Sequence, residues 1–375
     1  MSLITLGHIN KNLIPILLGC FFSLLGSIIF SFDDILLYNH VIILNIIASF
    51  AKALSIVPLL VFNKRTKDNK DGESNKNNKI KFLYTNKTEG YAHCKYAYFL
   101  LLGSIFFTQA VFASYSMRIK INSWIFRIVF ICLFSYWISK IKLYKHHYFS
   151  MSIILIIGIV MDISFQNYQN DIENNALSLL FKFGEEIFYS LYLVLNRYLM
   201  EKKFCSVYEL CFFNGLINMI LFIIFGVIDY YYLQLDDIME YFNNFKYIDI
   251  VIIIVLIIEQ LGLNISNLFT IKNNTTCHTF IIFVFGKMAN YFSNFDNYSI
   301  YTIIIIICLC FILFMSLIFN EIIEINFCGL SNNTKRNIIS RSEKEPINIE
   351  KKDTYESKDE TDGYIIELVD EKSLE

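Results

Sequence analysis

Long apolar runs follow one another along almost the whole chain, and no feature limits its folding more. They can be read at roughly 13–32, 41–62, 96–117, 123–139, 147–165, 177–200, 209–231, 248–270, 276–292 and 299–319. Crossing a bilayer as a helix takes about 20 mainly apolar residues. In hydrocarbon every backbone amide must find its partner within the protein, so spanning runs must be helices. The expected class is therefore all-α: a polytopic membrane protein of about ten transmembrane helices. The runs at 123–139 and 276–292 are short and carry charge. Each matters, because removing either would invert every later loop.

Composition agrees with a membrane solvent. Hydrophobic residues make up 55% of the 375 residues and charged residues only 18%, against about a quarter charged in soluble domains. Ten spans leave no room for a separate catalytic domain of ordinary size. The net charge of -2, with no basic stripe, excludes nucleic acid as an expected partner. Of the nine cysteines, Cys20, Cys132, Cys211, Cys308 and Cys310 lie inside runs, and Cys94, Cys205, Cys277 and Cys328 at or beyond run ends. No CxxC pair with metal-binding spacing occurs, so free thiols are expected, with no cofactor and no metal. The first run is too long for a signal-peptide core and reads as the first span.

Loop charge gives an orientation through the excess of Lys and Arg in cytoplasmic loops. With the amino terminus in the cytosol, segment 63–95 carries nine basic residues, the 140–146 loop carries Lys140, Lys142 and Lys145, and the next cytosolic loop Lys202 and Lys203. Segments 33–40, 166–176 and 293–298 have none, and 232–247 has only Lys246. Arg118 and Lys120 alone break the pattern. The expectation is ten spans with both termini cytosolic, in an endomembrane or the plasma membrane. Segment 63–95 reads as a disordered cytosolic loop, and the charged tail 332–375 cannot bury a core. The sequons at Asn86 and Asn332 fall on the cytosolic side, where glycosylation does not occur, and Asn297 hugs the membrane.

Two stretches carry a resemblance. One is Ser190-Leu-Tyr-Leu-Val-Leu-Asn-Arg-Tyr-Leu-Met-Glu-Lys-Lys, followed by Tyr208-Glu-Leu-Cys-Phe-Phe-Asn-Gly; the other is Asn320-Glu-Ile-Ile-Glu-Ile-Asn-Phe-Cys-Gly-Leu-Ser-Asn-Asn-Thr-Lys-Arg. Both resemble a divergent protist and fungal branch of the drug/metabolite transporter superfamily, near the nucleotide-sugar-transporter-like solute carrier 35 group. The resemblance implies two inverted five-helix repeats with the substrate cavity between them, here 1–165 and 177–331, alternating access, and homodimers, which occur among similar carriers. A five-helix half followed by another must be inverted because five is odd. A weak echo lies in Gln109 and Gln260, each in the run that precedes one of the two short runs.

Ionisable groups deep in a span face a cavity or one another. Lys52 sits about midway along the second run, Glu259 and Gln260 midway along the eighth, and Glu185 and Glu186 near the middle of the sixth. Arg127, Asp162, Lys182 and Lys287 lie nearer run ends, where long side chains reach the headgroups. Glu185, Tyr189, Tyr192 and Asn196 share one helical face; Gln260, Asn264 and Asn267 share another; Asn45, Ser49 and Lys52 a third, with Pro58 loosening the helix beyond. Together with Gln109 these stripes are the expected substrate-binding residues. Lys52 is expected to meet an anionic group, with Glu185 or Glu259 as counter-ion or proton-coupling carboxylate, and Tyr189 and Tyr192 to stack on a ring. The competing reading pairs Lys52 with Glu185 or Glu259 merely to neutralise charge.

No enzyme is expected: the spans hold no GxGD, no GxSG around Ser27 or Ser104, and no paired histidines. The adjacent His146 and His147 sit in a basic loop and read as solvated or facing headgroups rather than as a metal site. The expected function is carriage of a small organic solute, such as a nucleotide sugar or other anionic metabolite, across a lipid bilayer. A receptor or scaffold without transport is the rival. A channel is disfavoured, since no charged-ring or carbonyl-rich filter is visible.

Overall fold

The apolar runs fold as helices. The structure, a computed structural model, describes residues 4–6, 13–30, 40–58, 60, 91–116, 123–141, 143–168, 176–202, 205–233, 241, 243, 245–293, 300–325 and 334. Ten α-helices of 13 residues or more lie among them: α1 (Leu13–Phe30), α2 (Val41–Ala53), α3 (Tyr91–Ser116), α4 (Arg127–Ser139), α5 (Lys145–Tyr168), α6 (Ala176–Lys202), α7 (Val207–Ile228), α8 (Tyr247–Asn273), α9 (Thr279–Ser293) and α10 (Ile300–Phe319). Six stretches are long and apolar enough to cross a membrane: Val41–Pro58, Tyr96–Ala113, Lys145–Ser164, Val207–Tyr231, Tyr247–Asn273 and Ile300–Phe319. Leu13–Ile29 and Ser123–Ser139 are apolar but shorter. α6 is long but carries Lys182, Glu185 and Glu186, and α9 has 15 residues.

Side-chain placement is that of a protein in lipid. Along α1 the outward residues Ile14, Leu17, Phe21, Leu24 and Ile28 recur at spacings of three and four and are 38–66% exposed. α10 repeats the pattern with Ile300, Ile303, Ile307 and Phe311, all half exposed or more apart from Ile303 at 49%. Meanwhile Ser27, Lys52, Arg127, Glu186, Asn214 and Asn218 are buried. Continuous apolar surface outside and polar groups inside fit a multi-pass membrane protein, because water would not tolerate patches of that extent.

The most extensive helix pairs are α5–α10, α3–α6, α2–α7, α1–α9, α1–α8, α4–α6, α3–α7 and α2–α8. Close approach depends on small residues, as between membrane helices generally. At Gly215 of α7 a methyl would stand 2.7 Å from the Ser49 carbonyl oxygen and from Lys52 Cβ on α2, and closer still to the Ala53 amide. Ser27 Oγ of α1 donates to the Gly286 carbonyl of α9 (3.1 Å), and Ser190 Oγ of α6 to the Arg127 carbonyl of α4 (3.3 Å).

Three local features depart from the sequence reading. α3 begins at Tyr91, so the end of the expected loop 63–95 is helical; residues 61–90 lie outside the described residues, as does the tail 332–375 apart from Thr334. Both short runs enter through a 3₁₀ turn, Ser123–Phe126 before α4 and Thr276–His278 before α9. Ile4–Leu6 (β1) pairs antiparallel with Ile323–Ile325 (β2), Thr5 opposite Glu324, joining the chain ahead of α1 to the chain beyond α10. The break expected from Pro58 is present: α2 ends at Ala53, a turn follows at Leu54 and Ser55, and the Val57 amide bonds to the Leu54 carbonyl at 3.0 Å. Proline has no N–H to offer Leu54.

Candidate functional site: a polar strip inside the bundle

Where α2, α3, α4 and α6 converge, two buried cations lie at the ends of a strip of aromatic rings. Lys52 of α2 is 2% exposed, and its Nζ sits 3.2 Å from the centre of the Phe106 ring of α3. The Phe106 ring contacts Tyr192 of α6 (5.1 Å between centres), and Tyr192 contacts Tyr189 one turn earlier (6.2 Å). Tyr189 covers the Arg127 guanidinium at 4.2 Å, and Phe283 of α9 covers it from 3.7 Å. A ring face attracts a cation by about 2 kcal/mol or more when both are desolvated.

The two cations differ in one respect. Arg127 is neutralised: its Nε donates to Glu186 Oε2 at 2.6 Å and its Nη2 to Glu186 Oε1 at 3.1 Å, with both groups buried. Such a two-pronged bond is the strong form of carboxylate pairing. Lys52 has no such partner among the described residues. Its Nζ makes no hydrogen bond, and neither Glu185 nor Glu259 lies within ion-pair distance of it. The competing sequence reading, a Lys52–glutamate pair, is thereby corrected.

Other expected residues are placed as follows. Glu185 pairs with Lys182 at 3.6 Å. Asn196 is buried and donates to the Tyr192 carbonyl at 2.9 Å, so its amide serves its own helix. Gln109 is half-buried on α3. On α8, Glu259 is 2% exposed, accepts from Gln260 Nε2 at 2.8 Å, and has a carboxylate oxygen 2.7 Å from where a Cβ on Gly26 of α1 would stand. Asn264 donates to the Gln260 carbonyl at 2.6 Å. Lys52, Tyr192 and Tyr189 are thus brought into one strip through Phe106; Glu259, Gln260 and Asn264 form a second, self-bonded patch against α1.

Sequence reasoning missed several members, the Phe106 and Phe283 rings among them. Arg127, expected to reach the headgroups, instead turns inward to Glu186 because α4 packs along α6 and the Ser190 hydroxyl holds its backbone. Lys287 of α9 stands over the Phe283 ring, 5.4 Å from its centre, and adds a third cation beside the strip. Asn214 and Asn218 of α7 form a buried chain: Asn218 Nδ2 donates to Asn214 Oδ1 at 2.7 Å, and Asn214 Nδ2 to the Tyr192 hydroxyl. Their spacing of four was readable, but the Asn-rich composition masked it.

The chain matches no family model and no curated protein in sequence.

The strip joins a buried lysine to a row of aromatic faces. Lys52 supplies an uncompensated charge, and Phe106, Tyr192 and Tyr189 supply apolar faces with one hydroxyl already engaged.

Proposed function

We propose that this chain is a membrane transporter of a small organic anion, built as two inverted five-helix halves, α1–α5 and α6–α10, that rock against one another around the polar strip. The single observation that carries the reading is Lys52: a cation 2% exposed, with no hydrogen bond and no counter-ion among the described residues. An ionised group inside a membrane protein is costly without a partner, and a pathway for charged solute is its usual reason. A bound anion would supply the missing charge.

The contact pattern supports the repeat. Adding five to each helix number turns α3–α6 into α8–α1, α4–α6 into α9–α1 and α3–α7 into α8–α2, and returns α2–α7 and α5–α10 to themselves. The serine bonds obey the same exchange, Ser190 to α4 and Ser27 to α9. So do the two 3₁₀ turns ahead of α4 and α9. The pairing of β1 with β2 supports an even number of crossings, since it holds the entry to α1 and the exit from α10 on one side. The resemblance to nucleotide-sugar-transporter-like carriers supports an anion with a ring, and in this reading both termini are cytosolic.

Ligand-induced thermal stabilisation of the purified full chain tests the reading, with nucleotides, nucleotide sugars, sugar phosphates, amino acids and organic cations as the panel. A ligand at 100 times its Kd adds about 2.7 kcal/mol to the stability of the form that binds it. A shift from one anionic class, abolished in Lys52→Ala, is expected. No shift from any class in folded protein, or an equal shift in Lys52→Ala, contradicts the proposal and favours a receptor or scaffold.

A further inference from the structure

Far from the strip along the bundle, three metal-ligating side chains meet where α5 begins and α10 ends. His146 and His147 lie in the first turn of α5, and Glu321 follows α10 by two residues. One ligand atom from each lies within 4.8 Å of the others. His146 is 3% exposed, so it is neither solvated nor at the headgroups, contrary to the sequence reading. Neither of its ring nitrogens makes a hydrogen bond, although Nε2 stands 3.1 Å from Glu321 Oε1. The distance is right and the alignment of a hydrogen bond is missing. Buried polar atoms left in that state call for a reason, and an ion is among the usual ones.

Glu321 takes the left-handed position of the cap that closes α10, its amide bonding to the Ile318 carbonyl at 3.1 Å and the Ile322 amide to the Leu317 carbonyl at 3.0 Å. Its φ is 58°, in the left-handed region that residues other than glycine avoid. This cap presents the Glu321 carboxylate to the buried His146 imidazole. The Phe319 ring meets His147 edge-on at 4.8 Å and gives the cluster an apolar wall.

We propose that His146, His147 and Glu321 bind a divalent transition metal of the zinc class. Two imidazoles and one carboxylate are the donors such ions prefer, whereas calcium and magnesium select oxygen ligands. Bonds of about 2.0–2.1 Å in a tetrahedral site put ligand atoms about 3.4 Å apart. Three protein ligands leave one position for water or a fourth donor. His147 is the weakest of the three, because its Nδ1 now accepts from the Tyr144 amide at 3.0 Å, a helix-capping bond that ligation competes with. Bound metal would clamp the start of α5 to the end of α10, a pair as extensive as any among the described helices. The proposal is independent of what the protein carries.

The test uses the full chain purified without a histidine tag, stripped with chelator and dialysed. Zn2+ is titrated calorimetrically, and Co2+ is added separately to read its visible spectrum. One equivalent of Zn2+ per chain is expected, with a Co2+ spectrum of nitrogen and oxygen ligands and no thiolate charge-transfer band. Affinity is expected to fall roughly tenfold or more in His146→Ala and in Glu321→Gln, and by less in His147→Gln; losing even an outer-shell partner of a metal ligand costs 10- to 100-fold. Absence of stoichiometric binding by the unsubstituted chain overturns the proposal, leaving a His146–Glu321 ion pair. So does binding unchanged in both variants, or a thiolate band. The spectrum of the unsubstituted protein decides the matter even where a variant fails to fold.

Discussion

Arg127 and Lys52 are both buried cations, and they make opposite predictions. Arg127 is held by Glu186, so Arg127→Met strands a carboxylate in the bundle. Breaking a buried pair by removing one partner costs about 3–5 kcal/mol, whereas replacing both by apolar residues is often neutral. Arg127→Met should therefore lower unfolding stability in detergent by that amount, and Arg127→Met with Glu186→Met should recover most of it. Lys52 has no carboxylate to strand, so Lys52→Met should leave stability unchanged or raise it while abolishing ligand-induced stabilisation. Depth along a run was enough to single out Lys52, because a central ionisable residue has nowhere to go. It failed for Arg127, since position near a run end does not say which way a long side chain turns. That direction comes from α4 lying along α6, which is a tertiary fact. Asn214 and Asn218 failed for a different reason: amides in a chain this rich in Asn carry little signal until the Tyr192 hydroxyl is seen beside them.

Helix positions were legible because hydrocarbon leaves the backbone one solution, and the ten runs coincide with α1–α10 to within a few residues at most ends. Helix pairing was not legible, since apolar faces toward lipid and toward neighbours look alike in sequence. Glycine is the clearest marker of a close crossing here. Gly215 lets α7 rest on the backbone of α2 directly beneath Lys52. Gly215→Ala should cost about 1–3 kcal/mol through overpacking and should weaken ligand binding as well, because the displaced turn carries Lys52. An unfolding curve and a ligand titration on the same variant check both parts. An unchanged midpoint would mean that α2 and α7 yield without strain.

At the scale of the whole molecule, alternation of sides is the strongest constraint. β1 and β2 tie the two ends of the bundle together, and the contact of His146 with Glu321 and of Asn320 with the Cys277 carbonyl sets the α4–α5 and α8–α9 connections at that same end. Single cysteines placed at positions 66, 142 and 340 of a cysteine-free chain should react from one side of sealed vesicles, and one at 297 from the other. Labelling of 66 and 142 from opposite sides would remove a span and with it the two-half architecture. The number of apolar runs was legible in the sequence, whereas the helix pairings that exchange under a shift of five came only with the structure. The central claim, that the bundle carries an organic anion past Lys52, is tested most directly by counterflow. Proteoliposomes loaded with unlabelled nucleotide sugar, nucleotide or sugar phosphate are diluted into labelled solute of the same class. Transient accumulation of label for one class, absent in Lys52→Ala liposomes holding equal amounts of folded protein, is the predicted result. Accumulation that persists unchanged in Lys52→Ala, or none for any class with the unsubstituted chain, would contradict it.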